Sequence, residues 1–158
     1  MGYRLLAVLL FGVDSQIKSA VEKKVKAGSV KKIWRDRLLI RKHHNKGVML
    51  NAFEKYQKLT AAVSAGLTVL VILLGEETFA GKGRNTAGKL GFACLIGGAL
   101  SNTFDRIRRG YVVDYMSFNV KRKKIKNLVF NISDFFIIAG VLITALSGEE
   151  KTREIKPV

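Results

Sequence analysis

Gly97-Gly98-Ala99-Leu100-Ser101-Asn102-Thr103-Phe104-Asp105-Arg106 is followed closely by Gly110-Tyr111-Val112-Val113-Asp114-Tyr115. Beyond a basic tract comes Phe130-Asn131-Ile132-Ser133-Asp134-Phe135. Polar residues stand at fixed offsets inside otherwise apolar sequence. Asn102 and Asp105 are spaced i, i+3, as are Asn131 and Asp134, so on a helix each pair would share one face. An ionisable residue in or beside a membrane span is costly and by default marks function. Asp114 follows a β-branched pair, and Asp134 stands near the start of a long apolar run. These two carboxylates are the ones that a site would need.

Composition frames that stretch. The 158 residues are 48% hydrophobic yet carry Lys+Arg 28 against Asp+Glu 12, a net charge of +16. In a soluble protein such basicity would point to nucleic acid. Here the apolar residues gather into runs and the charge gathers between them. That segregation indicates a membrane protein with basic loops, suited to an anionic lipid surface, and no nucleic-acid partner is expected. The chain reads as a single domain, 1–158. Its fold class is membrane all-α with a small β element: a four-transmembrane-helix bundle with spans near 3–22, 59–74, 87–104 and 128–146.

Each run has its own character. Leu5 to Val13 looks like the apolar part of a signal peptide, but no small-x-small site follows and Asp14 comes next, so it is read as a retained span. The second run, Leu59 to Leu74, is interrupted by Thr60, Ser64 and Thr68. As a helix it rises roughly 24 Å, near the lower limit for crossing. Gly88, Gly91, Gly97 and Gly98 in the third run would let neighbouring helices approach closely. The mixed segment 23–58 has strand-like residues from Val30 to Ile40, and Trp34 suits the headgroup level. From Ser147 the tail is charged and expected to fray.

Cysteine and histidine exclude some chemistry. Cys94 is the one cysteine and lies in an apolar run, so it reads as a small core residue, with no intrachain disulfide. His43 and His44 invite a metal reading, but no carboxylate or cysteine accompanies them at ligand spacing, and strand neighbours point to opposite faces. They are read as part of a solvated loop. No metal or other cofactor is expected. There is no Gly-x-Ser-x-Gly elbow and no His-Glu-x-x-His.

The motifs resemble those of lipoprotein signal peptidase, the type II signal peptidase of bacteria. That family's pattern is approximately G-G-A-x-G-N-x-x-D-R, then G-x-V-V-D-F, then F-N-x-A-D. The chain matches at Gly97, Gly98, Ala99, Asn102, Asp105, Arg106, Gly110, Val112, Val113, Asp114, Phe130, Asn131 and Asp134. It departs with Ser101 for Gly, Tyr115 for Phe and Ser133 for Ala. Upstream, the family's Asp-Gln-x-x-Lys corresponds to Asp14-Ser15-Gln16-Ile17-Lys18, with the Gln moved. Its Asn-x-Gly-Ala-Ala-Phe corresponds to a segment in which Asn45 and Gly47 match, Val48 and Met49 replace the small residues, and Phe53 comes late.

The resemblance implies an aspartyl endopeptidase that removes signal peptides from prolipoproteins, just before a cysteine carrying diacylglycerol. It implies Asp114 and Asp134 as the catalytic pair. It also implies an extracytoplasmic sheet between spans one and two, membrane lipids around a monomer, and inhibition by globomycin-type cyclic peptides. The family has both termini in the cytoplasm of a bacterial cell and the site on the outer side. Lys and Arg nevertheless crowd the first and third loops, with only Lys82, Arg84 and Lys89 near the second. The positive-inside rule points the other way, though it applies poorly to long loops that fold as domains. The orientation is taken from the substrate's requirement.

Two adjacent carboxylates share a proton, so one can act as base on a water while the other polarises the scissile carbonyl. Asn102 and Asn131 would hydrogen-bond the aspartates or the peptide. Asp14 and Lys18, spaced i, i+4, are either a helix-end ion pair or part of the polar site. Asp105 beside Arg106 is either a structural ion pair or a direct participant. Two other functions compete. A metal-dependent lipid transferase would draw on Asp105 and Asp114, and a non-catalytic relative would bind lipidated peptide or anionic membrane.

Overall fold

The computed structural model describes residues 2–47, 54–81 and 86–154. Helix α1, Gly2–Lys24, is followed by strands β1, Lys31–Ile33, and β2, Leu38–Asn45. A 3-10 turn at Glu54–Tyr56 leads into α2, Gln57–Ala80, and then α3, Thr86–Arg109. Strand β3, Val112–Phe118, precedes a short helix α4, Lys123–Lys126, and the last helix α5, Ile132–Glu154.

Helix α3 is the spine, packed against α1, α2 and α5. Its adjacent glycines serve different neighbours. A Cβ at Gly97 would lie 2.9 Å from the Ala7 carbonyl oxygen of α1, and one at Gly98 would lie 2.6 Å from the Ser133 carbonyl oxygen of α5. Both separations are too close for any side chain, so the two glycines set how near α1 and α5 come. The polar interruptions of α2 face the same spine, where Thr68 and Thr103 share a hydrogen bond of 2.8 Å.

The apolar centre is small, with Ala7, Ala93 and Ile96 buried, while Leu5, Val8, Leu9 and Val13 of α1 and Leu67, Leu70 and Leu73 of α2 are exposed. The buried side chains are conspicuously polar: Asp14, Lys18, Asn102, Asp105 and Asn131 all lie inside. Among the described residues, one helical stretch, Glu54–Ala80, is long and apolar enough by length and composition to cross a membrane, and Ile132–Ser147 forms a shorter apolar helix. Helices α1 and α3 carry charged residues along their length, of which Asp14, Lys18 and Asp105 are buried.

The sheet differs from the expected one. It has three antiparallel strands in the order β1-β2-β3, so segment 23–58 supplies only two of them. The third comes from between α3 and α5, where Val112-Val113 puts a β-branched pair into the strand. His43 pairs across from Asp114, and Asn45 from Val112, past an irregularity between Ile40 and His43.

The element ends also shift. Helix α2 runs six residues past Leu74, and α3 continues past Phe104 to Arg109. Helix α5 begins at Ile132 rather than near 128, because Phe130 is held by β3: its carbonyl accepts from Tyr115 N (2.9 Å) and Met116 N (2.8 Å), and its N–H donates to Met116 O (2.7 Å). The tail expected to fray from Ser147 continues as helix to Glu154. Trp34 is exposed in the β1–β2 turn, with positive φ at Trp34, Arg35 and Asp36. The C-terminal parts of α1 and α3 pack against β3, and the start of α5 is tied to it through Phe130.

Candidate active site

Helix α5 starts with a reciprocal cap. Asn131 Oδ1 accepts from the Asp134 N–H (3.1 Å), and Asp134 Oδ2 accepts from the Asn131 N–H (2.9 Å). This is a capping box, with Asn131 as the N-cap and Asp134 two residues past the first helical position. The expected sharing of one helical face is therefore corrected at this pair. Asn131 precedes the helix, and its spacing to Asp134 reflects end-capping rather than a helical stripe.

Strand β3 presents the second carboxylate. Asp105 Oδ2 of α3 accepts from the Val113 N–H (3.1 Å), which fixes the backbone next to Asp114. Asn131 Nδ2 donates to Asp114 Oδ1 (2.7 Å), Asn45 Nδ2 to Asp114 Oδ2 (3.1 Å), and Asn102 Nδ2 to Asp134 Oδ1 (3.0 Å). With the Asn131 N–H on Asp134 Oδ2, each of the four carboxylate oxygens has one donor.

The three amides have no freedom to turn. Each Oδ1 faces a group that can only donate: Asn131 the Asp134 N–H, Asn45 the Gly47 N–H (3.3 Å), and Asn102 the Lys18 ammonium (2.8 Å). The NH₂ groups must then point at the carboxylates. Asp114 and Asp134 line one cavity of about 380 Å³, within the usual range for a ligand site. His43, Asn45 and Arg106 share its polar end, and Phe130, Ile137 and Ile138 form an apolar wall.

Beneath the aspartates lies the hub formed by Asp14 and Lys18. Both are almost completely buried, and Lys18 Nζ sits 2.8 Å from Asp14 Oδ2 and 3.6 Å from Asp105 Oδ2. The i, i+4 ion pair forms, and it is buried rather than solvated. Asp14 also accepts from Ser101 Oγ (2.6 Å), Ser133 Oγ and the Tyr115 hydroxyl (2.9 Å). These three hydroxyls were not among the expected site residues. They come from three different elements, so no spacing in the sequence links them.

Asp105 and Arg106 do not pair. Asp105 sits 2.9 Å from Arg109 Nε, while Arg106 donates to the carbonyls of Gly47 (3.1 Å) and Asn102 (3.4 Å). Consecutive helical residues point away from one another, so the pairing falls at i, i+4 instead. Arg106 Nε is buried without a partner among the described residues. Asp105 is absent from the cavity wall, which leaves the lipid-transferase reading without its second carboxylate. His43 and His44 lie in β2 rather than a loop, and His44 bonds Glu22 (3.0 Å) while stacking on Tyr111. Val48, Met49 and Phe53 lie outside the described residues, as do Lys82 and Arg84.

Burial first, and then the charge of Asp134, push the Asp114 carboxyl from the ordinary 3.8 up to about 7, against the opposing pull of the Asn131 and Asn45 amides. Asp114 then keeps its proton up to near-neutral pH. If the pair works with one proton, as the resemblance implies, kcat/KM should fall tenfold per pH unit above about pH 7. The same shift affects folding. A raised carboxyl favours folding fully below about pH 4, and that contribution is lost as pH rises to about 7. Thermal unfolding across that window should show the loss, and Asp114→Asn should flatten it.

Three comparisons bear on this arrangement. The family model described as signal peptidase (SPase) II matches residues 6–148. A lipoprotein signal peptidase of Clostridioides difficile is 30% identical over 156 residues, covering 97% of this chain and 100% of the relative. One from Caldicellulosiruptor bescii is 34% identical over 118 residues, covering 72% of this chain and 71% of the relative. A solved bacterial membrane enzyme shares the fold with a TM-score of 0.82 at 22% identity, covering 99% of this chain and 93% of that one.

Proposed function

The chain belongs to the signal peptidase II family, and we propose that it is an intramembrane aspartyl endopeptidase whose catalytic pair is Asp114 and Asp134. Membership makes it a protease that removes signal peptides from prolipoproteins. On our reading the cut falls on the N-terminal side of a diacylglyceryl-modified cysteine. The observation that carries the aspartyl assignment is two carboxylates on one cavity, Asp114 buried and Asp134 half-buried, each oxygen held by a fixed donor.

The chemistry follows from that geometry. With one proton between them, the ionised aspartate draws a proton from a water as it attacks the scissile carbonyl. The protonated partner donates a hydrogen bond to the carbonyl oxygen and later a proton to the leaving amine. Pre-set amides cost no reorganisation when charge moves between the carboxylates. On our reading Arg106, which lines the cavity and donates to the Gly47 and Asn102 carbonyls, shapes the substrate site beside the pair. Neither metal nor covalent intermediate is required.

Four spans, α1, α2, α3 and α5, would place both termini and the α2–α3 link at one end and the sheet at the other. We put the sheet and the aspartates outside a bacterial cytoplasmic membrane, with the termini in the cytoplasm. The apolar wall of Phe130, Ile137 and Ile138 suits a substrate entering sideways from lipid. The enzyme is taken to act as a monomer and to bind globomycin-type cyclic peptides in the same cavity.

The test is to compare a prolipoprotein with and without its diacylglyceryl group, using purified enzyme in lipid vesicles. The lipidated form should be cleaved at least about 100-fold faster, since remote binding contributes to the chemical step. Equal rates on both forms would contradict the proposed specificity.

A further inference from the structure

Asp14 accepts three hydrogen bonds, all from hydroxyls, and is ion-paired with Lys18. Ser101 and Ser133 donate to Oδ2, which also faces the Lys18 ammonium, and Tyr115 donates to Oδ1. Ser101, Tyr115 and Ser133 belong to α3, β3 and α5 and are all buried. None of the three lines the cavity. They are also the three positions at which this chain carries a hydroxyl where the family pattern quoted above has none.

Their effect continues past Asp14. The Lys18 ammonium is ion-paired with Asp14 Oδ2 (2.8 Å) and donates to Ser101 Oγ (2.9 Å) and Asn102 Oδ1 (2.8 Å). The last of these turns the Asn102 NH₂ onto Asp134. If a hydroxyl is lost, Asp14 lacks a donor and draws the ammonium closer. With Ser101 removed, Lys18 also has a spare proton, and Asp105 Oδ2 is only 3.6 Å away. Either movement pulls the ammonium off Asn102 and frees that amide to turn. The Tyr115 hydroxyl has a further part, accepting the Ile132 N–H (3.1 Å) and so tying β3 to the start of α5.

We propose that Ser101, Tyr115 and Ser133 form a hydroxyl cage around Asp14 and act together as positioning residues, holding Lys18 on Asn102 and thereby Asn102 on Asp134. The inference rests on the proteolytic reading above for its kinetic consequence but not for its geometry. Because two of the hydroxyls share one carboxylate oxygen, their effects must be coupled rather than additive.

The experiment uses Ser101→Ala, Ser133→Ala, the double variant, and Ser101→Thr and Ser133→Thr as rescues, each assayed per folded enzyme in detergent. Each alanine change should lower kcat by about 5- to 30-fold with KM within about twofold. The double variant should cost less than the product of the single effects, and threonine should restore most of the loss. In parallel, side-chain amide NMR of ¹⁵N-asparagine-labelled protein should show the Asn102 NH₂ signal moving in both alanine variants while the Asn45 signal stays. That signal is independent of turnover. If the parent does not cleave but the Asn102 signal moves, the cage stands and the proteolytic reading falls. If the parent cleaves and both kcat and the Asn102 signal are unchanged in both alanine variants, the cage is overturned. A raised KM at unchanged kcat overturns it as well.

Discussion

Replacing Asp114 or Asp134 by asparagine should each lower kcat by about 10⁴-fold, the upper end of what one acid–base group contributes. The change is nearly isosteric, so the loss would reflect chemistry rather than packing. An amide neither holds nor delivers the shared proton. It also mismatches its neighbours. Asn131 and Asn45 both aim an NH₂ at position 114, so an amide there would meet a donor with a donor on one side. At position 134 the oxygen facing the Asn131 N–H can be kept, preserving the cap, while the side facing Asn102 becomes a second NH₂. Both variants should therefore fold, which thermal unfolding in detergent checks, while cleavage of a lipidated prolipoprotein is lost. The unfolding temperature of Asp114→Asn should vary less between pH 4 and 7 than the parent's, since it removes a carboxyl whose ionisation opposes folding. Cleavage within about tenfold of the parent in either variant would refute the pair.

Lys18→Met carries the second large effect. The ammonium is buried and is the only cation beside Asp14 among the described residues. Removing one partner of a buried pair leaves the other charge unpaired, which costs about 3–5 kcal/mol. Asp105 keeps Arg109, so the loss falls mainly on Asp14. Helix α1 would lose the Lys18 contacts with Ser101 and Asn102 of the spine, and with them the donor that fixes the Asn102 amide. Unfolding in detergent should show the stability loss, and the folded remainder should have a kcat reduced by at least about tenfold. A variant of parental stability and activity would show that the hub holds nothing in place.

Much of the site was legible because its chemistry is carried by rare residues in apolar sequence. Asp114, Asp134, Asn102 and Asn131 stand out for that reason, and the structure brings them to one place. The helices were legible as runs, but their ends were not. Asn131-x-x-Asp134 before an apolar stretch is a start signal for a helix. Read as a helical face, it hid the cap and displaced the start of α5. Strand β3 was missed as a partner for β2 because its pairing joins segments on either side of two helices, and only the Val112-Val113 pair hinted at it. The supposed Asp105–Arg106 pair could have been rejected on spacing alone. The cage around Asp14 could not have been found that way, since it depends on where α1, α3, β3 and α5 meet.

The most direct test of the central claim is product analysis with the purified parent enzyme, a diacylglyceryl-modified prolipoprotein and excess chelator. Mass spectrometry should find a single cut at the bond before the lipidated cysteine, at a rate the chelator does not change. A folded parent that yields no product, or one whose activity chelator abolishes and Mg²⁺ restores, would contradict an aspartyl pair acting alone.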